Sequence, residues 1–243
     1  MKVLVIDVGG TNLKIKVSNK EEVRKFPSGP DITAKQMVAD VLENSKDWAF
    51  DCVTIGFPGP VVNGKIRNEP VNLGPGWVNI DFEKAFGKPV RIINDAAMQA
   101  LGCYEGGRML FLGLGTGLGT TLIIDGVVAA LEAGHLPFKK NKSFEYYVGV
   151  KALNRSSRKH WQDNVFEVIK LLKDAMVADY VVLGGGNIKK LDSLPEGVKK
   201  GDNSFAFLGG VRFWDNATPT KSKSKSSLSN LFLISGIACV YFL

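Results

Sequence analysis

A chain of 243 residues is long enough to bury a sizeable core in one or two domains. Its 45% hydrophobic and 23% charged residues are ordinary globular values and exclude wholesale disorder. The net charge of +7 falls to +4 over residues 1–217, because Lys221, Lys223 and Lys225 lie in an acid-free tail. That excess suits an anionic substrate, and there is no nucleic-acid-binding motif or aromatic-interleaved basic stripe.

Taken in chain order, residues 3–8, 13–17 and 22–26 read as three short strands, from Val-rich alternation punctuated by Gly, Asn and Lys. Residues 33–45 read as a helix with Met37, Val38, Val41 and Leu42 on one side. Residues 52–57 read as a buried strand stopped by Pro58-Gly59-Pro60, before a loop-rich stretch that ends at Trp77. The apolar run 90–93 precedes Asn94-Asp95, and a helix is expected over 96–104. The second half partly repeats the plan: strands at 109–112 and 122–124 around a Gly turn, then 127–131. Helices are expected over 144–154 and 164–176, a buried strand over 180–183, and the start of a helix at 188–191. The segment from Phe205 is expected to return toward the core.

Three cysteines, Cys52, Cys103 and Cys239, are scattered and form neither a disulfide framework nor a CxxC metal pattern. That usage and the lack of an N-terminal apolar stretch with a cleavage site point to the reducing cytoplasm. Residues 226–243 carry no charge and follow a Ser/Lys linker. A bilayer span takes roughly 17–25 mostly apolar residues, and serines, Asn230 and Gly236 thin this one. A tail anchor, a docking segment and a non-native extension all remain open, with the composition leaning against insertion.

The chemistry-bearing pattern is a pair of glycine-rich hairpins about a hundred residues apart. The first turn is Asp7-Val8-Gly9-Gly10-Thr11-Asn12 and the second spans Gly113-Leu114-Gly115-Thr116-Gly117-Leu118-Gly119-Thr120-Thr121. Such turns offer successive backbone N–H groups to an anion, and threonine adds a hydroxyl donor. Neither fits GxxxxGK[ST] or GxGxxG. Two turns on one polyphosphate, with Asp95 at a strand end between them, suggest phosphoryl transfer to a hydroxyl. Asp95 is either the base that takes the hydroxyl proton or the cap of the following helix. Asp7 is either a Mg²⁺ ligand through water or a turn former. Lys14 is either a phosphate contact or a solvated strand charge. Glu132 and His135 read alone as a surface acid and a satisfied turn histidine, or as acceptors and donors for sugar hydroxyls. His160 lies in a basic polar stretch, and the two histidines make no metal cluster.

Five stretches together resemble the ROK family of sugar kinases. They are Asp7-Val8-Gly9-Gly10-Thr11-Asn12-Leu13-Lys14, Asn94-Asp95-Ala96, Gly115-Thr116-Gly117-Leu118-Gly119, Glu132-Ala133-Gly134-His135-Leu136 and Leu183-Gly184-Gly185-Gly186. The resemblance implies an α/β, two-lobed actin-like ATPase (ribonuclease H-like) fold with a central cleft, with lobes over 1–104 and 105–217 and the tail over 218–243. It implies Asp95 as general base, and Asn68, Asn72, Asn94, Glu132, His135 and Glu145 with Asp95 as sugar contacts. Phosphate and nucleotide contacts would be Asp7, Gly9, Gly10, Thr11, Asn12, Lys14, Gly115, Thr116, Gly117, Gly184, Gly185 and Gly186, with Mg²⁺ held near Asp7 through water. Many ROK proteins carry a cysteine-rich zinc loop after the ExGH motif; residues 136–143 contain no cysteine, so no zinc site is expected. That departure and the compact length bring the chain nearest to polyphosphate/ATP glucokinases, with ATP or polyphosphate as donor, glucose or a close hexose as acceptor, and a homodimer as the assembly. The alternative is a non-catalytic sugar-binding regulator. Such relatives place a helix-turn-helix first, and the first phosphate strand begins here at Val3.

Overall fold

The computed structural model describes residues 1–202 and 204–215. Cys239 and the tail expected over 218–243 lie outside the described residues. The chain opens as an antiparallel meander of β1 (Val3–Val8), β2 (Asn12–Val17) and β3 (Arg24–Pro27). Helix α1 (Ala34–Asn44) follows, capped by Thr33, whose side chain accepts the Gln36 N–H. Strand β4 (Cys52–Phe57) is buried along its whole length, in keeping with a mostly apolar run whose one polar residue, Thr54, is hydrogen-bonded. A two-stranded ribbon, β5 (Val61–Val62) and β6 (Lys65–Ile66), and the short helix α2 (Phe82–Phe86) lead into β7 (Val90–Asn94). The first sheet is ordered β3-β2-β1-β4-β7, with β4 and β7 parallel to β1.

Helix α3 (Asp95–Cys103) carries the chain to the second sheet. There β8 (Arg108–Leu114), β9 (Leu118–Ile124) and β10 (Val127–Leu131) form another antiparallel meander. Three helices follow: α4 (Phe144–Val148), α5 (Val150–Arg155) and α6 (Arg158–Ala175). Strands β11 (Tyr180–Gly184) and β12 (Val198–Lys200) complete the order β10-β9-β8-β11-β12. Both sheets therefore share one topology, an antiparallel meander extended by two parallel strands.

Each sheet packs its own helices on one face. Trp77 anchors the first core against Phe57 and Phe82, and Trp161 is buried in the second with Val165, Val168 and Ile169. The other faces meet across α3 and the last helix, α7 (Phe205–Asp215). α7 crosses α3 with Gly102 against the Phe205 carbonyl and Gly209 against the Met98 carbonyl, leaving no room for a Cβ at either glycine. It then seats on the first sheet. Thr54 Oγ1 donates to the Gly210 carbonyl at 2.7 Å, Trp214 Nε1 donates to Thr54 Oγ1 at 2.8 Å, and Arg91 donates to the Phe213 carbonyl at 2.6 Å. Cys52 and Cys103 are buried free thiols. Among the described residues, no helix is long and apolar enough to cross a membrane.

Three elements differ from the sequence expectation. The helix expected over 144–154 breaks at Gly149, whose extended backbone docks on the second glycine turn: the Val150 N–H reaches the Gly115 and Thr116 carbonyls, each at 3.2 Å. α6 starts six residues earlier than expected, because Ser157 caps it and Trp161 opens its buried face inside a charged stretch. The helix expected from 188 is a 3-10 turn over Gly186–Lys190.

Candidate active site

The two glycine turns and the head of α3 enclose one cavity of about 430 Å³. Asp7, Gly9, Gly10, Asn72, Asn94, Asp95, Gly115, Thr116, Gly117, Glu132, Glu145 and Gly185 all line it. Residues from all five motif stretches, with Asn72 and Glu145, thus meet in one place. Asn68, Thr11, Asn12, Lys14, His135, Gly184 and Gly186 do not line the cavity. A larger cavity of about 510 Å³, between Lys65, Trp77, Phe82 and Val90, shares none of these residues.

The catalytic candidate is set by its neighbour. Asn94 is the N-cap of α3: its Oδ1 accepts the Ala97 N–H at 3.0 Å, and its Nδ2 donates to the Gly59 carbonyl at 3.2 Å. Asp95 therefore does not cap the helix. It is the first helical residue, with Oδ1 accepting the Ala96 N–H at 2.7 Å. Burial pushes its carboxyl up to about 7, and the Asp7 and Glu132 charges add to that, against the Ala96 N–H bond, which lowers it. A carboxyl poised near neutrality can both hold and release a proton at working pH. Asn94, expected as a sugar contact, has its amide engaged by the cap and by Gly59.

The first turn is closed from both sides. The Gly9 N–H donates to the Asn12 carbonyl at 3.1 Å, Ser28 Oγ donates to the Gly9 carbonyl at 2.7 Å, and the Ser28 N–H donates to the Thr11 carbonyl at 3.2 Å. In the second turn the Gly115 N–H donates to the Gly117 carbonyl at 3.1 Å, and Asn187 Nδ2 donates to the Gly115 carbonyl at 2.8 Å. The Leu118 N–H donates to Glu145 Oε2 at 3.1 Å. Gly9 and Gly115 thus shape the turns with their own N–H groups. Among the described residues, the N–H groups of Gly10, Thr116 and Gly117 have no protein partner and remain for an anion.

Asp7 is 17% exposed and paired with Lys14, whose Nζ lies 2.9 Å from Asp7 Oδ2. The two are direct cross-strand partners in the β1–β2 hairpin. The cavity lining itself holds four carboxylates, Asp7, Asp95, Glu132 and Glu145, and no Lys, Arg or His. Polyphosphate in such a cavity needs a cation as well as backbone N–H groups. Among the described residues, no group of three or more His, Cys, Asp or Glu is placed to hold a metal ion. The lining carboxylates would suit a hard cation that takes oxygen ligands, such as Mg²⁺.

The ExGH stretch forms a 3-10 turn, Ala133–His135, in which His135 and Glu132 are both exposed and 3.7 Å apart. Glu132 lines the cavity, and His135 lies beside it without lining the cavity itself. Gly185, at φ +85°, packs against the Leu114 backbone, so the middle glycine of the run at 184–186 is the one at the cavity. Four residues support the site, and of these only Thr120 was named in the sequence, as part of the second turn. Ser28 and Asn187 hold the turns, Gln99 lines the cavity one helical turn after Asp95, and Thr120 joins the second hairpin to Glu132. Of the other three, only Gln99 had a legible signal, its i+4 spacing from Asp95 on one helix face.

The duplicated sheet topology and the cleft between its halves define a two-lobed actin-like ATPase fold. A sequence model of the ROK family matches residues 3–146. The chain belongs to the ROK family. It is 26% identical over 211 residues to a polyphosphate glucokinase of Mycobacterium tuberculosis, covering 77% of this chain and 78% of that one. It is 27% identical over 170 residues to a glucokinase of Pyrobaculum calidifontis, covering 61% and 53%. An inorganic polyphosphate/ATP-glucomannokinase from Arthrobacter sp. strain KM superposes with a TM-score of 0.74 at 22% identity, over 87% of this chain and 97% of that one. A ROK family glucokinase from Streptomyces griseus, solved with glucose and AMPPNP, gives a TM-score of 0.68 at 18% identity, over 88% and 99%.

Proposed function

We propose that this protein is a sugar kinase that moves the terminal phosphoryl group of ATP or polyphosphate to the 6-hydroxyl of glucose or a close hexose. The observation that carries this reading is the single cavity shared by Asp95 and both glycine turns. The names of the relatives support the same class of reaction.

The chemistry follows from the lining. The sugar lies between Asn72, Glu132, Glu145 and Asp95, whose side chains offer mixed donors and acceptors to its hydroxyls. The Asp95 carboxylate accepts the hydroxyl proton while the sugar oxygen bonds to the terminal phosphorus. The bridging P–O bond breaks and its electrons leave with the nucleoside diphosphate or the shortened chain. The N–H groups of Gly10, Thr116 and Gly117 hold phosphate oxygens in place. Asp7 would hold Mg²⁺ through water, and the ion would offset negative charge on those oxygens. Closure of the lobes would exclude water and limit hydrolysis of the donor. The same reading takes the working unit as a homodimer in the cytoplasm.

A matrix of hexoses against ATP and polyphosphate, read as kcat/KM for each pair, tests the proposal. A dominant hexose with either donor sustains it. Sugar binding by calorimetry without turnover on any donor replaces it with the regulatory reading.

A further inference from the structure

One charged feature outside the cavity lining is only partly compensated within the fold. Lys14 on β2 stands directly opposite Asp7 on β1, and directly opposite Lys25 on β3. Residues so paired share a face of the sheet, with Cβ atoms roughly 4.5–5.5 Å apart. The row therefore reads Asp7–Lys14–Lys25, one acid against two lysines, starting at the cavity wall and running outward. Its neighbours Leu13 and Phe26 face the opposite way into the first core, so the row is on the cleft side. Lys16, two residues along the same face, is matched by Glu21 at 3.2 Å. Lys25 is exposed and, among the described residues, has no acidic partner.

Like charges directly opposite on a sheet are destabilising. Asp7 offsets the Lys14 charge, which leaves Lys25 as the uncompensated cation of the row, beside the cavity and open to an anion. The strand is not free to swing away, because Ser28 just beyond it bonds the Gly9 and Thr11 carbonyls of the first turn. We propose that Lys14 and Lys25 form an anion subsite for a phosphate group of the donor that lies beyond the one transferred, with Lys25 as the residue that sets affinity for a longer phosphate chain. This rests on the phosphoryl-transfer reading for its biology, but not for its test.

The test uses Lys25→Ala and Lys25→Arg in the full chain, with tripolyphosphate, ATP and a long-chain polyphosphate as probes. Calorimetry should show tripolyphosphate binding weakened about five- to tenfold in Lys25→Ala and retained in Lys25→Arg. Without anion, Lys25→Ala should melt at or above the wild-type temperature, since a repulsion is removed; with tripolyphosphate it should gain less than wild type. The donor KM should rise while kcat and the hexose KM stay within twofold. A rise with long polyphosphate and not with ATP places the subsite on the condensed chain; a rise with both places it on phosphates common to the two. Absent tripolyphosphate binding in wild type, equal binding in Lys25→Ala, or a lowered melting temperature without anion overturns the subsite. Wild-type binding without turnover on any donor would end the kinase reading and leave the subsite standing.

Discussion

Gly119 of β9 faces Ala96 of α3 so closely that a Cβ on the glycine would stand 2.9 Å from the alanine Cβ. This contact sets the second glycine turn beside the helix that begins with Asp95. Gly119→Ala should force the two apart, cost roughly 1–3 kcal/mol of stability and lower kcat/KM about tenfold. The double variant with Ala96→Gly should recover most of both losses. Chemical denaturation and steady-state kinetics on the cycle check this; additive losses would show that the contact does not couple the turn to the helix.

Asp95→Asn keeps the shape of the carboxyl and removes its basicity. Turnover should fall about 10²- to 10⁴-fold, with hexose affinity within a few-fold of wild type. A variant that folds and turns over near the normal rate would remove Asp95 from the chemistry.

The pH dependence follows from the raised carboxyl. Asp95 must be ionised to accept a proton, so kcat/KM should climb with an apparent pKa near 7 and level off above it. Stability should run the other way. The folded state keeps this proton up to about 7, whereas the unfolded chain releases it near the ordinary value of 3.8. Its contribution is therefore present at low pH and lost as pH rises through 7. Asp95→Asn cannot ionise, so its melting temperature relative to wild type should be higher at pH 8 than at pH 5.

Thr120 Oγ1 accepts the Ala133 N–H at 3.0 Å and donates to the Leu131 carbonyl at 2.8 Å, clamping the segment that carries Glu132. Thr120→Val leaves the buried Ala133 N–H without a partner, at a cost of about 1–3 kcal/mol. The hexose KM should rise several-fold and the donor KM should hold. A larger change in the donor KM would place Glu132 on the other substrate.

Much of the fold was legible because it is written in local pattern. An apolar run marks β1, alternation of Leu, Ile and Val with Lys marks β2, and the Pro58-Gly59-Pro60 breaker marks the end of β4. The site was legible as motifs in order along the chain, and most of them do converge on one cavity. The break at Gly149 was not legible, since helix propensity on both sides hides a docking contact made with a turn more than thirty residues away. The 3-10 turn at Ala133–His135 was not legible either, since the motif spacing does not specify the local backbone.

The amino-acid order by itself determined the strands, the two glycine turns and the placing of a carboxylate after β7, because each depends on the preferences of neighbouring residues. Only the tertiary structure decided that Asn94 takes the cap and leaves Asp95 facing the cavity, that Lys14 pairs with Asp7, and that α7 returns to seat on the first sheet. The first two depend on which of several nearby partners a side chain takes, and the last on burial over a whole interface formed by residues far apart in the chain, which outweighs the local preferences of any one residue.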